Sequence, residues 1–360
     1  MRILRRRGGK EDGGNPTVLD RPDALPHRGG ADGFAGTDAE LSAEIERLAE
    51  VNRAAPDRQI ERRLLALRHI AGVRALGAGD QRPEFPAPDS ARLPAEGSLP
   101  EFPAEELTPG LVRAAIVRDG FILVRGLVDR EDALRFAAQI ERAFEEREKF
   151  LQGQPAEEGY YEEFLPATPE YVEALSVRPW IREGGGVLAI DSPMLSAEMV
   201  ELLRKAGVLA LVESYLGEKP LISLQKTTLR KAEPSVPGAW HQDGSFMGDV
   251  RALNLWLALS RCGDESPSLD MVPRRLDYLV AQQTDEAVLS IQVSQAMAEK
   301  AAGDRGIIRP KFEPGDALFF DDMFLHATGS DPAMPKPRYA IESWFFGASG
   351  FPVEYGPLAA

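Results

Sequence analysis

The sequence predicts an α+β fold: a β-rich core of the jelly-roll type in the C-terminal half, covered by helices that precede it. Three observations predict it. After Gly217, short β-type runs recur at 221–230, 252–260, 268–273, 306–309, 317–320 and 338–346, separated by Pro, Gly and Asp turns. Many short strands in succession make a sandwich or a barrel-like jelly roll. Upstream, apolar residues recur at spacings of three and four, the period of helices with one buried face. A 360-residue chain with 43% hydrophobic and 28% charged residues has the composition of an ordinary globular protein, long enough for one large core or two modest domains.

Taken in order, residues 1–37 are rich in Gly, Arg, Asp and Pro, show no hydrophobic period and are expected to be disordered. A mostly polar helical segment spans 39–51. From Pro56, which suits the first helical position, Ile60, Leu64, Leu67, Ile70 and Val73 form one apolar stripe, and Gly77 with Gly79 suits the stop. The stretch 78–103 carries Pro83, Pro86, Pro88, Pro94, Pro100 and Pro103, a density that forbids regular structure and reads as an extended linker. Residues 38–103 are thus expected to be a helical extension with a Pro-rich linker, followed by a main domain over 104–360 whose β core spans about 217–347.

Within that domain, Thr108-Pro109 opens a short helix that ends at Gly120, and Phe121–Arg125 reads as a buried strand. Asp129 to Lys149 is an amphipathic helix with Leu134, Phe136, Ile140 and Phe144 on one side. Residues 151–195 read as irregular, Ser196–Leu216 as helical, and Asp285–Ala302 as a helical insertion between strands.

Composition also excludes functions. A net charge of −15 argues against non-specific nucleic-acid binding, which needs basic patches, and against an anionic membrane surface. Cys262 is the only cysteine, so neither an intrachain disulfide nor a Cys-based zinc cluster is expected. Met1–Lys10 is basic with no apolar stretch after it, and no apolar run approaches a membrane span. Cytoplasmic residence and a small-molecule substrate are the expectations.

The chemistry concentrates on two of the four histidines. His27 falls in the tail and His69 in a charged helix, whereas His241 and His326 each lie beside a strand. In Trp240-His241-Gln242-Asp243 an extended backbone would point His241 and Asp243 to one side. A His and a carboxylate facing one way can share a metal ion, and His326 from a distant strand completes a two-His, one-carboxylate facial triad, the set favoured by non-heme iron(II) oxygenases. Twelve residues on, Arg338 opens the run Arg-Tyr-Ala-Ile-Glu-Ser-Trp-Phe-Phe346. An inward Arg there would pair with a dicarboxylate through two parallel hydrogen bonds. His-X-Asp alone is weak evidence; the order, the strand context and the Arg offset together give it weight.

His241-Gln-Asp243, Asn254-Leu-Trp-Leu-Ala-Leu259, Gly315-Asp316, His326-Ala-Thr328 and Arg338 resemble the phytanoyl-CoA dioxygenase family, over roughly residues 105–347. The resemblance implies a double-stranded β-helix (cupin-like jelly-roll) core and iron(II) on His241, Asp243 and His326. It also implies 2-oxoglutarate held by Arg338 with help from Thr328, Trp256 beside the cosubstrate, and further contacts from Gln225 and Thr227. The Glu-Asn-Gly turn and Pro-Gly-Ser-His segment common in the family are replaced here by Gly263-Asp-Glu-Ser-Pro267 and Val272-Pro-Arg-Arg275.

The function so implied is hydroxylation of a C–H bond with iron(II), 2-oxoglutarate and dioxygen, giving succinate and carbon dioxide as co-products, with no catalytic residue beyond the iron ligands. Related halogenases replace the carboxylate ligand by a small residue, so Asp243 favours hydroxylation or desaturation. Two other readings use the same residues: a divalent-metal hydrolase, and a non-catalytic jelly-roll binding module. Tyr160, Tyr161, Phe164, Trp180 and Met247 are candidates to line the entrance, though core or loop roles serve them at least as well; Asp249 and Arg251 could meet a polar substrate, but a solvated loop suits them better.

Overall fold

The computed structural model describes residues 33–76, 82–166, 169–287 and 289–360. The expected disorder of residues 1–32 and the expected helix stop at Gly77 and Gly79 lie outside them. In chain order the helices are α1 (Asp38–Ala54), α2 (Arg58–Ala75), α3 (Pro109–Asp119), α4 (Arg130–Leu151), α5 (Arg178–Glu183), α6 (Pro193–Lys205), α7 (Val208–Leu216), α8 (Gly244–Met247) and α9 (Gln295–Ala302). The strands are β1 (Glu101–Pro103), β2 (Phe121–Arg125), β3 (Gly186–Leu188), β4 (Pro220–Ala232), β5 (Ala252–Ala258), β6 (Ser268–Met271), β7 (Ala317–Phe320), β8 (His326–Gly329), β9 (Arg338–Gly347) and β10 (Pro357–Ala359). This is a mixed α/β fold.

The large sheet runs β1-β2-β7-β5-β9-β4-β10, with β3 also paired to β4. It is mixed because β1 lies parallel to β2 while every other pair is antiparallel. A second sheet pairs β6 with β8. Strand alternation gives the large sheet two different faces. On the outer face Ile122, Val124, Leu253, Leu255, Ile341 and Phe345 pack under helices α3, α4, α6 and α7. On the inner face Phe121, Leu123, Trp256, Phe320, Trp344 and Phe346 meet Leu269 and Met271 of the small sheet. His326 opens β8 of the small sheet and Arg338 opens β9 of the large one.

Local chemistry sets the helix ends. Thr37 and Glu40 form a reciprocal capping box at the start of α1, and Asp57 and Thr108 cap α2 and α3. Gly120 ends α3 at φ 90°, a left-handed turn that glycine adopts without a Cβ clash. The α1–α2 pair is tied to the main body. A Cβ on Gly72 would meet the backbone of Pro357 and Leu358 at 2.8–2.9 Å, so only glycine lets α2 approach β10 this closely. His69, expected on a charged helix, is buried there and donates from Nδ1 to the Pro357 carbonyl at 2.8 Å.

Several expected elements differ. The single helix over 196–216 is two, α6 and α7, broken at Gly207 with φ 74°. Among the described residues of the expected 285–302 helix, only 295–302 are helical, starting at the Ser294 cap. The 306–309 run is not a strand; Ile308 makes one isolated bridge to Met271. Leu134, expected on the buried side of α4, is 43% exposed.

Candidate metal centre

His241 and His326 meet across a two-stranded bridge in which each backbone N–H donates to the other's carbonyl, at 3.0 and 3.1 Å. Their rings lie 4.5 Å apart between centroids. The His241 Nδ1 donates to the Ala239 carbonyl at 2.8 Å, and the His326 Nδ1 to that of Phe324 at 3.1 Å. Each imidazole is thereby fixed with Nδ1 protonated and the Nε2 lone pair free, the arrangement expected of metal-binding histidines. Asp243 completes the group: one ligand atom from each of the three residues falls within 4.8 Å of the others.

The local backbone is not the one the alternation argument assumes. Asp243 has φ −64° and ψ −28°, a helical conformation at the start of α8 rather than an extended one. The turn is held from both sides. The Gly244 N–H donates to the Asp322 carbonyl at 2.8 Å, and a Cβ at Gly244 would stand 2.6 Å from the Asp322 carboxylate. Gln242, between the two ligands, is buried and fully used: its amide donates to the carbonyls of Met323 (2.8 Å) and Tyr278 (3.1 Å) and accepts from the Val280 N–H (2.8 Å).

Burial and the neighbouring His241 push the His326 imidazole down to about 4, with Asp243 opposing, so at neutral pH it is uncharged and able to bind a cation. Phe320 and Phe324 flank it, the latter stacked at 12°. Burial raises the Asp322 carboxyl to about 6, with Asp321 adding to the effect.

Arg338 is buried at the start of β9. Its guanidinium carbon lies 5.2 Å from the Trp256 ring centroid, its Nη1 donates to the Ser268 carbonyl at 3.2 Å, and its Nε has no partner. Burial lowers it to about 10, so it stays charged at neutral pH without a carboxylate beside it. Thr328 lies two residues beyond His326 on β8 and is half-buried. Gln225 sits where the β4–β9 register shifts, and its amide donates to the Glu354 carbonyl at 3.2 Å. Thr227 is not brought to the site. It pairs with Ser343 on the outer face, hydroxyl to hydroxyl at 3.2 Å, and Thr228 takes the inward position.

The entrance candidates also separate. Tyr160, Tyr161 and Phe164 pack into the outer-face core, and Trp180 is 50% exposed on α5. Only Met247, on α8, belongs to the inner-face cluster. Asp249 pairs with Arg82 at 2.8 Å on the surface, while Arg251 is buried on the Leu216 carbonyl.

Sequence reasoning missed Glu342, Arg230, Lys226, Asn254 and Trp344. The signal was available: residues 338, 340, 342 and 344 share a strand face, so an inward Arg338 implies an inward Glu342. Burial works to raise the Glu342 carboxyl, but Arg230, at 2.9 Å, outweighs it and holds the group at about 2.

A model of the phytanoyl-CoA dioxygenase (PhyH) family matches residues 116–331, which include all three clustered ligand residues. The chain belongs to the phytanoyl-CoA dioxygenase family. No curated protein matches it. Among solved structures it is similar to EctD from S. alaskensis, crystallised with 2-oxoglutarate and 5-hydroxyectoine: 16% identity, 76% of this chain and 88% of that one covered, TM-score 0.47. It is also similar to SnoK, a non-heme alpha-ketoglutarate-dependent carbocyclase of nogalamycin biosynthesis, at 16% identity, with 68% and 85% covered and TM-score 0.44. The epimerase SnoN, in complex with Fe3+, alpha ketoglutarate and nogalamycin RO, matches at 18% identity, with 66% and 83% covered and TM-score 0.40.

Membership of the phytanoyl-CoA dioxygenase family implies iron(II) and 2-oxoglutarate, and the residues present fit both. Two imidazoles and one carboxylate are a donor set suited to iron(II). A buried guanidinium with an orphaned Nε suits an incoming carboxylate.

Proposed function

We propose that the protein is an iron(II)- and 2-oxoglutarate-dependent dioxygenase that hydroxylates a C–H bond of a small organic substrate, with succinate and carbon dioxide as co-products. The observation that carries this reading is the convergence of His241, Asp243 and His326 on the inner face where Arg338 lies buried without a carboxylate partner. When bound, iron and 2-oxoglutarate together supply the oxidising power, dioxygen being consumed as the keto acid loses carbon dioxide.

The chain's own residues hold and orient. Three protein ligands leave open positions for cosubstrate and dioxygen. Arg338 grips the far carboxylate of 2-oxoglutarate, the Trp256 ring and Thr328 bound its path, and Phe320 and Phe324 keep water from the His326 side. Asp243 supplies the anionic ligand whose retention favours hydroxylation or desaturation over halogenation. In this reading the two sheets are the halves of a double-stranded β-helix within a catalytic domain over 104–360, and the protein is cytoplasmic. A hydrolase using the same triad leaves the unpaired buried Arg338 without a cosubstrate carboxylate to hold, and a non-catalytic binding module leaves the assembled triad without chemistry to do.

The test is 2-oxoglutarate turnover. Purified protein with iron(II) should release succinate, and zinc in its place should release none. Equal activity with zinc would overturn the reading.

A further inference from the structure

Along the inner face the cations divide by partner. Arg230 is neutralised by Glu342. Arg338 and Lys226 have no carboxylate within ion-pair distance among the described residues, and they stand toward opposite ends of the face. The residues of β9 from Arg338 to Phe346 span about 26 Å at the rise of an extended strand. Lys226 sits by the Phe346 end, in the stretch of β4 where the register with β9 shifts between Ile222 and Thr227.

The surroundings of Lys226 make a defined cradle. Its Nζ lies 4.3 Å from the Phe246 ring centroid and 5.0 Å from that of Tyr355. The Tyr355 hydroxyl donates to the Phe246 carbonyl at 3.1 Å, which locks the two rings together. Phe246 is on α8, and its N–H donates to the Asp243 carbonyl at 3.1 Å, so the cradle adjoins the metal ligands directly. Phe346, Met247 and Phe351 continue it as an apolar wall. Burial lowers the Lys226 ammonium and the nearby Asp243 raises it.

We propose that Lys226 binds the anionic group of the prime substrate, an amphipathic carboxylate or phosphate ester whose apolar part lies against Phe246, Tyr355 and Met247. The proposal rests on the oxygenase reading, because it assigns the second substrate of that site. An ammonium over two ring faces is held by cation–π attraction while its outward hydrogens stay free to donate. Half-burial makes that charge more effective toward an incoming anion than an exposed lysine would be.

The test loads wild-type protein anaerobically with iron(II) and 2-oxoglutarate and records the visible band first, so failure of the oxygenase reading shows before any amphiphile is added. Octanoate, octyl phosphate, octanol and octylammonium are then titrated calorimetrically into the wild type, Lys226→Met and Lys226→Arg. At least one anion should bind about tenfold or more tighter than octanol, Lys226→Met should erase that preference, and Lys226→Arg should restore most of it. The better of the two anions tells carboxylate from phosphate. Octanol binding as well as both anions, or an unchanged anion preference in a folded Lys226→Met, would overturn the proposal. Should Lys226→Met not fold, Lys226→Gln takes its place.

Discussion

His241 and His326 are joined through their backbones, each N–H donating to the other's carbonyl at 3.0 and 3.1 Å. The pairing that aligns the imidazoles therefore does not depend on the imidazoles. Replacing either ring by a methyl group should leave the bridge and the metal-free fold intact while removing a ligand. His241→Ala and His326→Ala are expected to melt within a few degrees of the wild type without metal, and to bind iron(II) weakly and release no succinate. Calorimetry and a succinate assay on the same preparations check this.

Arg338 touches neither the metal ligands nor the reacting carbon in this account; it binds a remote carboxylate. Loss of such a contact appears mainly in KM. Arg338→Met should raise the KM for 2-oxoglutarate on the order of a hundredfold, with a much smaller change in kcat. Initial rates across a 2-oxoglutarate series measure both.

Gln242 links the turn carrying His241 and Asp243 to two other segments through three hydrogen bonds. Gln242→Ala leaves the Val280 N–H without its side-chain acceptor, at a cost of about 1–3 kcal/mol, and frees the turn carrying His241 and Asp243. Iron(II) affinity should fall roughly 10–100-fold, as for other groups that orient metal ligands. A competition titration with a metallochromic chelator gives the number.

Asn254 is 0% exposed with neither side-chain atom hydrogen-bonded, beside Trp344, 1% exposed with an unpartnered indole N–H. Both face inward near Phe320. A buried polar group left unsatisfied costs about 1–3 kcal/mol, so Asn254→Leu, of similar size, should stabilise the metal-free protein by ~1–2 kcal/mol. Denaturant unfolding decides the sign; destabilisation would mean that the amide is structurally satisfied.

Burial depresses His69, and the Pro357 carbonyl only partly offsets it; His326 is pushed to about 4. Below the ordinary histidine value of about 6.5 the unfolded chain takes up protons that these folded histidines refuse. Stability is thus fully present above that value and is lost as pH falls toward the depressed folded values. The metal-free protein should melt lower at pH 5 than at pH 7, and His69→Asn, which keeps an N–H for Pro357, should reduce the drop.

Much of the layout was legible because local signals agreed with the tertiary outcome. Residues 121–124 and 317–320 are uninterrupted apolar runs, and β4, β5 and β9 fall within a few residues of the expected runs. The triad and Arg338 were legible because their residue types are rare and their order is constrained. The helix break at Gly207 and the non-helical stretch 289–294 were not, since periodicity alone does not register a left-handed glycine or a segment held by contacts such as Val293 to Trp240. Thr227 was misplaced because one residue of register inverts every side chain of a strand. Lys226 and Asn254 were silent because their interest lies in partners they lack, a property of three-dimensional neighbours.

The most direct test of the central claim is anaerobic titration of the purified protein with iron(II) and 2-oxoglutarate, followed in the visible. The account predicts a charge-transfer band that saturates at one equivalent of each and is absent in Asp243→Ala. No band in folded wild-type protein, or an equal band in Asp243→Ala, would contradict it.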